Sequence, residues 1–313
     1  MGRGTLVRKG AGLEAAARKS VAPWASWVQI PPPAPSRSPL PGKGILMVTV
    51  SLAQMDVRQG DVEANRRKAL EFIEEAGRRR SNVLVLPELW PVGYILDKLP
   101  ELAEPLNGET VSMLKEKAVQ HDMYIIGSIA EFKEGKIFNT VPLVGPEGLV
   151  GVYSKIHLFK PLKEHLYFTP GRKLGIFDVE FGRIGVAVCY DLRFPEVFRV
   201  MALKDVSIVF VVAAFPNRLN HWRSMLYSRA VENQFFMVAA NRIGSYGDNR
   251  FFGHSMVIDP DGEILVEAGE TEILLTCDLK LEKVKQARSK LFHVEQRKAE
   301  IYDSFLREKQ AGD

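Results

Sequence analysis

Three residues stand where an apolar run gives way to a polar loop: Glu88 after LVLP, Lys155 in GVYSKIHLF and Cys189 in GVAVCYDLRFPE. Each has an ordinary reading of its own. Cys189 can be a small hydrophobe closing a buried strand, Glu88 a loop carboxylate or helix cap, and Lys155 a surface charge. Brought together they have a chemical reading. A carboxylate can take the thiol proton, the sulfur can attack a carbonyl, and an ammonium can depress the thiol pKa or donate to the oxyanion. The backbone N–H of Tyr190, next to the nucleophile, is a second oxyanion donor. A cysteine–histidine–acid arrangement with His157 or His221 as base is the rival, and distance along the chain does not exclude it. His157 can equally orient the lysine loop, and His221 can be an ordinary helix-start residue. No metal or cofactor is expected: the six histidines contain no HExxH pair, and Cys189 and Cys277 cannot form a thiolate cluster. Gly145, Gly182 and Gly185 lack a dinucleotide or P-loop pattern and read as turn and packing positions.

These residues need elements to hold them. MVTVSLAQ from Met47 reads as a buried strand, 62–80 as an amphipathic helix and 82–88 as a strand. A helix over 109–121, a strand over 123–129 and a hairpin over 137–154 follow, the hairpin turning at VGPEG. A strand ends at Cys189 and a helix starts near Phe194 or Pro195, which suits a first helical turn. VSIVFVVAAFP is a strand, HWRSMLYSRAVENQ a helix and FFMVAANR a strand. Three strands follow at 253–258, 263–267 and 273–277, then a charged helix over 281–306. Arg229 and Glu232 stand three apart, as a helix-supporting pair does. The loop AAFPNRLNHW borders any site at these strand ends, so Phe215, Asn217 and Trp222 are candidate substrate contacts. So many strands overfill one small sheet. The expected fold is α/β, two mixed sheets packed face to face with helices outside, a four-layer α-β-β-α sandwich; a barrel is the other option.

The formal charge of +4 over 313 residues is unevenly placed. Residues 1–46 hold seven basic residues against Glu14, a net +6, and seven of the 18 prolines; residues 47–313 carry the remaining −2. Residues 1–46 therefore read as a disordered tail or an overextended reading frame, and 47–313 as the working domain. Trp24 and Trp27 lie in an uncharged stretch, unlike a nucleic-acid-binding tail. No apolar run is long enough for a membrane-spanning helix. Two distant cysteines suit a reducing, cytoplasmic setting.

LPELWPVGY, YSKIHLF, FTPGRKLGIF and GVAVCYDLRFPE, in that order, resemble the nitrilase superfamily of carbon-nitrogen hydrolases, and the likeness runs through essentially all of residues 47–302. The resemblance implies a Glu-Lys-Cys triad: Glu88 as general base and acid, Lys155 as oxyanion donor, Cys189 as nucleophile. It also implies an auxiliary carboxylate before the PG of the third motif, best matched by Glu164. CYDLRFPE with NHWRSMLYSRAVENQ resembles the amidase branches, especially omega-amidase-like and Nit-related proteins. This implies a small amide as substrate, cleaved through a cysteine thioester to ammonia and a carboxylic acid. An omega-amidase substrate carries a distal carboxylate; Arg193 is the candidate cation, with a loop-shaping salt bridge as its other reading. The resemblance further implies a homodimer or higher homo-oligomer, with neither nucleic acid nor membrane as partner. Nitrile cleavage, N-carbamoyl amide hydrolysis, acyl transfer from the thioester and a non-catalytic binding protein are the alternatives.

Overall fold

The computed structural model describes residues 47–302; the extension 1–46 lies outside the described residues. The chain begins with strand β1 (Met47–Gln54), helix α1 (Val62–Arg78) and β2 (Val83–Val85). Helices α2 (Leu99–Leu102) and α3 (Glu109–His121) lead to β3 (Tyr124–Ile126), β4 (Ile129–Lys133), β5 (Lys136–Gly145) and β6 (Gly148–Ser154). Then come β7 (Gly175–Val179), β8 (Gly182–Val188), α4 (Pro195–Leu203), β9 (Ile208–Ala213), α5 (Leu219–Asn233) and β10 (Phe236–Asn241). The hairpin β11 (Ile243–Tyr246) and β12 (Asn249–Phe252) precedes β13 (Met256–Ile258), β14 (Ile264–Glu267), β15 (Ile273–Lys280) and α6 (Glu282–Lys290).

Side-chain alternation explains the layering. On β1, Val48, Val50 and Leu52 enter one apolar cluster, whereas Ala53 and Met55 at its end join another; on β2, Val83 and Val85 face the first and Leu84 the second. A strand apolar on both sides must be covered on both sides. The first cluster joins β1 and β2 to β8, β9 and β10, and is the seam between two sheets. The second joins the first sheet to Ala69, Phe72, Ile73 and Ala76 of α1 and Val111, Leu114 and Ala118 of α3. One sheet has seven strands in the order β15-β1-β2-β3-β5-β4, with β6 pairing β5; the other has six, β14-β13-β10-β9-β8-β7. Both are mixed. Helices α4 and α5 cover the second sheet through Val197, Phe198, Met201, Trp222, Leu226 and Ala230. The result is the expected four-layer sandwich, and not a barrel.

Several boundaries differ from the sequence expectation. The strand expected over 82–88 pairs only at Val83–Val85, which leaves Glu88 in a loop. The strand expected over 123–129 is two, broken at Gly127 and Ser128. Strands β7, β11 and β12 were not foreseen; their sequences are short and partly polar. The terminal helix expected over 281–306 is α6, a break over 291–298 and a further helical turn over 299–302; 303–306 lie outside the described residues. Gln234 Nε2 donates to the Ala287 and Leu291 carbonyls at 2.8 and 2.6 Å, so carbonyls at the end of α6 find a side-chain partner; the Ala287 carbonyl also accepts the Leu291 N–H. The Arg229–Glu232 pair forms at 2.9 Å, and Arg229 Nη2 also reaches the Leu192 carbonyl. No helix among the described residues is long and apolar enough to cross a membrane.

Candidate active site

The two sheets bring their strand ends together at one edge of the seam. From the first sheet come Glu88 after β2, Asn139 on β5 and Lys155 directly after β6; from the second comes Cys189 directly after β8. Glu88 bridges both, because its Oε2 accepts the Ala214 N–H just past β9 at 2.9 Å.

Lys155 Nζ donates to Glu88 Oε1 and Glu164 Oε1, each at 2.8 Å, and all three side chains are fully buried. Glu88 Oε1 also accepts Asn139 Nδ2 at 2.8 Å. Glu164 accepts from the Tyr94 hydroxyl on Oε1 at 3.0 Å and from the Phe159 N–H on Oε2 at 2.8 Å. Each carboxylate thus has three donors, which suits the ionised, acceptor-only form. Burial pulls the Lys155 ammonium down, yet the charges of Glu164 and Glu88 outweigh it and hold the pKa above its ordinary value. Burial raises the Glu164 carboxyl, and the like charge of Glu88 adds to this against the pull of Lys155. With both carboxylates ionised the trio carries one net negative charge.

Burial chiefly sets the state of the thiol. Burial, then the charge of Glu88, push the Cys189 thiol well above its usual range, more than Lys155 lowers it. The site therefore favours the thiol form of Cys189 next to the Glu88 carboxylate.

Cys189 has φ 43°, a left-handed conformation that costs a non-glycine residue about 1–3 kcal/mol unless its surroundings impose it. Asp191 imposes it. The buried carboxylate accepts the Val188 N–H (2.9 Å) and the Tyr153 hydroxyl (2.6 Å) on Oδ2, and the His157 N–H (3.1 Å) on Oδ1. His157 Nδ1 lies 2.8 Å from Oδ1, so that nitrogen carries the proton, and the ring stacks on Phe194 at 3.5 Å. Beyond Val188 the chain makes a 3-10 turn over Cys189–Arg193. Tyr190 stands in its first turn, where N–H groups have no partner within the helix.

The other candidates separate. His157 is tied to Asp191, and the exposed His221 lies 3.4 Å from Arg193 Nη1; neither ring has a recorded contact with the thiol. The half-buried Arg193 guanidinium lies over the rings of Tyr190 (5.9 Å) and Phe215 (5.3 Å) and makes no ion pair with the other described residues. Trp222, expected as a substrate contact, has no exposed surface; its Nε1 donates to the His254 carbonyl and its ring backs Phe215 at 5.4 Å. It supports a wall rather than lining one. Asn217 clasps Arg250, accepting its N–H on Oδ1 and donating its own N–H to the Arg250 carbonyl. Sequence reasoning missed Tyr94, Asn139 and Asp191. Tyr94 and Asp191 lie inside the quoted motifs LPELWPVGY and CYDLRFPE; Asn139, in IFNTVPL, gave no signal.

The carbon-nitrogen hydrolase family model matches residues 49–289. The chain belongs to the carbon-nitrogen hydrolase family. It is 39% identical over 246 residues to the 2-oxoglutaramate amidase of Bacillus subtilis (strain 168), covering 78% of this chain and 95% of that protein. It is 31% identical over 269 residues to the omega-amidase NIT2 of Homo sapiens, covering 82% and 98%. The structure of XC1258 from Xanthomonas campestris, a CN-hydrolase superfamily protein with an arsenic adduct in its active site, superposes with a TM-score of 0.77. That match has 29% identity and covers 81% of this chain and 98% of the other. The resemblance to the nitrilase superfamily and the expected sandwich fold are borne out, and the chain is an enzyme of C–N bond hydrolysis, which displaces the binding-protein alternative.

Proposed function

We propose that this hydrolase cleaves the terminal amide of a small carboxylic-acid amide through a thioester on Cys189. The observation that carries the reading is Lys155 Nζ held between two buried carboxylates beside a strained thiol. Glu88 takes the thiol proton as the sulfur attacks the amide carbon, and the carbonyl π pair moves onto oxygen. Lys155 Nζ and the Tyr190 N–H stabilise that oxyanion. On collapse the C–N bond breaks, the proton on Glu88 passes to nitrogen and ammonia leaves. Glu88 then takes a proton from water, hydroxide adds to the thioester, the C–S bond breaks and the thiol is reprotonated. Glu164 serves as the auxiliary carboxylate that anchors Lys155. No metal or cofactor enters these steps.

A distal carboxylate fits Arg193, a guanidinium with no ion pair among the described residues, beside Tyr190 and Phe215; the relatives named for amidases of this type support the same class. Two unpaired thiols support a reducing, cytoplasmic setting. Exposed Val200 and Leu203 on α4 and Tyr227 on α5 support a homo-oligomer.

The test is intact-mass detection of an acyl adduct during a screen of omega-amido keto acids, plain omega-amides, N-carbamoyl compounds and nitriles. The adduct and turnover are expected with the first class and lost in Cys189→Ala. Normal turnover by C189A would falsify the mechanism, and adducts formed only from nitriles would overturn the substrate class.

A further inference from the structure

The connection from Lys155 to β7 carries a charge pattern that the chemistry above does not use. Residues 160–173 contain Lys160, Lys163, Arg172 and Lys173, all exposed and none in a recorded ion pair among the described residues. The one acidic residue between them, Glu164, is buried on Lys155. Residues 47–313 as a whole carry a net −2, so this is a local reversal of sign.

The backbone ties the segment that bears these cations to the site. Phe159 N–H binds Glu164 Oε2, and Lys160 follows it directly; Gly171 N–H binds the Lys155 carbonyl at 2.8 Å, and Arg172 follows directly. Lys163 immediately precedes Glu164 in a left-handed conformation (φ 59°), its N–H bonded to the Lys160 carbonyl. Lys163 also lines a cavity of about 340 Å³ with Tyr94, Tyr167 and Phe251, and Tyr94 reaches Glu164 from that wall. Asp97 also lines the cavity and is the opposing charge there. His165, also exposed, adds positive charge only when protonated.

We infer that Lys160, Lys163, Arg172 and Lys173 form a cationic approach that draws small carboxylate-bearing molecules to Cys189. The effect is long-range: charges of one sign around a low-dielectric opening raise the local concentration of an oppositely charged solute, and salt screens this beyond about 8–10 Å. It deepens the reading of a carboxylic-acid amide as substrate, and rests on that reading only for the identity of what is drawn in.

The two can be tested apart. Alkylation of Cys189, followed on its own peptide, is compared between anionic iodoacetate and neutral iodoacetamide. In the native protein the iodoacetate rate is expected to fall about 3- to 10-fold from low to high salt while the iodoacetamide rate holds. The triple variant K160Q/R172Q/K173Q should flatten the iodoacetate response and leave iodoacetamide alone, and adding K163Q should lower iodoacetate further. A triple variant that keeps the native salt slope, or two reagents that respond alike, overturns the inference. In parallel, kcat/KM is measured for an omega-amido carboxylate and a neutral amide of similar size at high salt. Loss of preference for the acid there, with the alkylation pattern intact, removes the substrate reading and leaves the cationic approach standing.

Discussion

Lys155 is the residue on which the others depend. An ammonium buried without carboxylates would lose its charge, and two carboxylates buried without it would not both keep theirs. Burial and the negative charge of Glu88 oppose thiolate formation, so in the proposed mechanism Cys189 becomes nucleophilic only as Glu88 takes the proton. The rate of iodoacetamide alkylation at Cys189 is therefore expected to keep rising above pH 9, beyond the range of a free thiol. Glu88→Gln removes the negative neighbour and leaves Lys155, so the alkylation midpoint should move down even as turnover is lost. Mapping by peptide is needed because the half-buried Cys277 is itself pushed up to about 11. Tyr94 gives a second prediction. Burial and the charge of Glu164 hold its phenol well above the usual range, so it stays a donor to Glu164 through alkaline pH. In Tyr94→Phe that carboxylate loses a charge-assisted hydrogen bond of about 1.5–3 kcal/mol, so its pKa rises. The acid limb of the kcat profile should move up by about one to two pH units, with activity partly recovered at higher pH. Loss of kcat equal at every pH would assign Tyr94 to packing alone.

At the scale of elements, the site is held by the ends of strands and not by the strands themselves. The 3-10 turn after β8 aims Cys189, and Asp191 ties that turn to Tyr153 on β6 and to the His157 loop. The Lys155 end is held by Gly171. A Cβ there would lie 2.0 Å from the Ser154 carbonyl oxygen, so backbone must give way. Gly171→Ala, which touches no reacting group, should lower kcat/KM at least about 100-fold, the scale of a 1 Å misplacement, with far less effect on far-ultraviolet circular dichroism. Most of these elements were legible from periodicity because their apolar faces repeat. The expected strand at 123–129 was not, since Gly127 fits against Leu86 and Trp90 where a Cβ would collide, and this close approach breaks the strand. The long terminal helix is likewise interrupted where a distant group meets it: Gln234, more than fifty residues away, binds the Ala287 and Leu291 carbonyls at the break.

At the scale of the whole molecule, the core among the described residues is one seam between two sheets with a second apolar layer under α1 and α3. We propose that residues 47–313 are the working domain. A chain starting at Met47 is expected to keep the melting temperature and kcat/KM of the full chain, while losing the +6 of the extension; a fall of several degrees or several-fold would assign residues 1–46 a structural part. Sequence alone determined the layers, because strands apolar on both faces must be covered twice. It also singled out Glu88, Lys155 and Cys189, because each closes an apolar run with a reactive group inside a motif of a familiar kind. What tertiary structure decided is their partnership. Glu88 and Lys155 belong to one sheet and Cys189 to the other, and no local pattern encodes a distance between sheets. The same packing enlisted Asn139, Tyr94 and Asp191, chose carboxylate over histidine beside the thiol, and withdrew Trp222 behind Phe215. A charge or hydrogen bond buried in the seam depends on what faces it, and what faces it is fixed only when the two sheets meet.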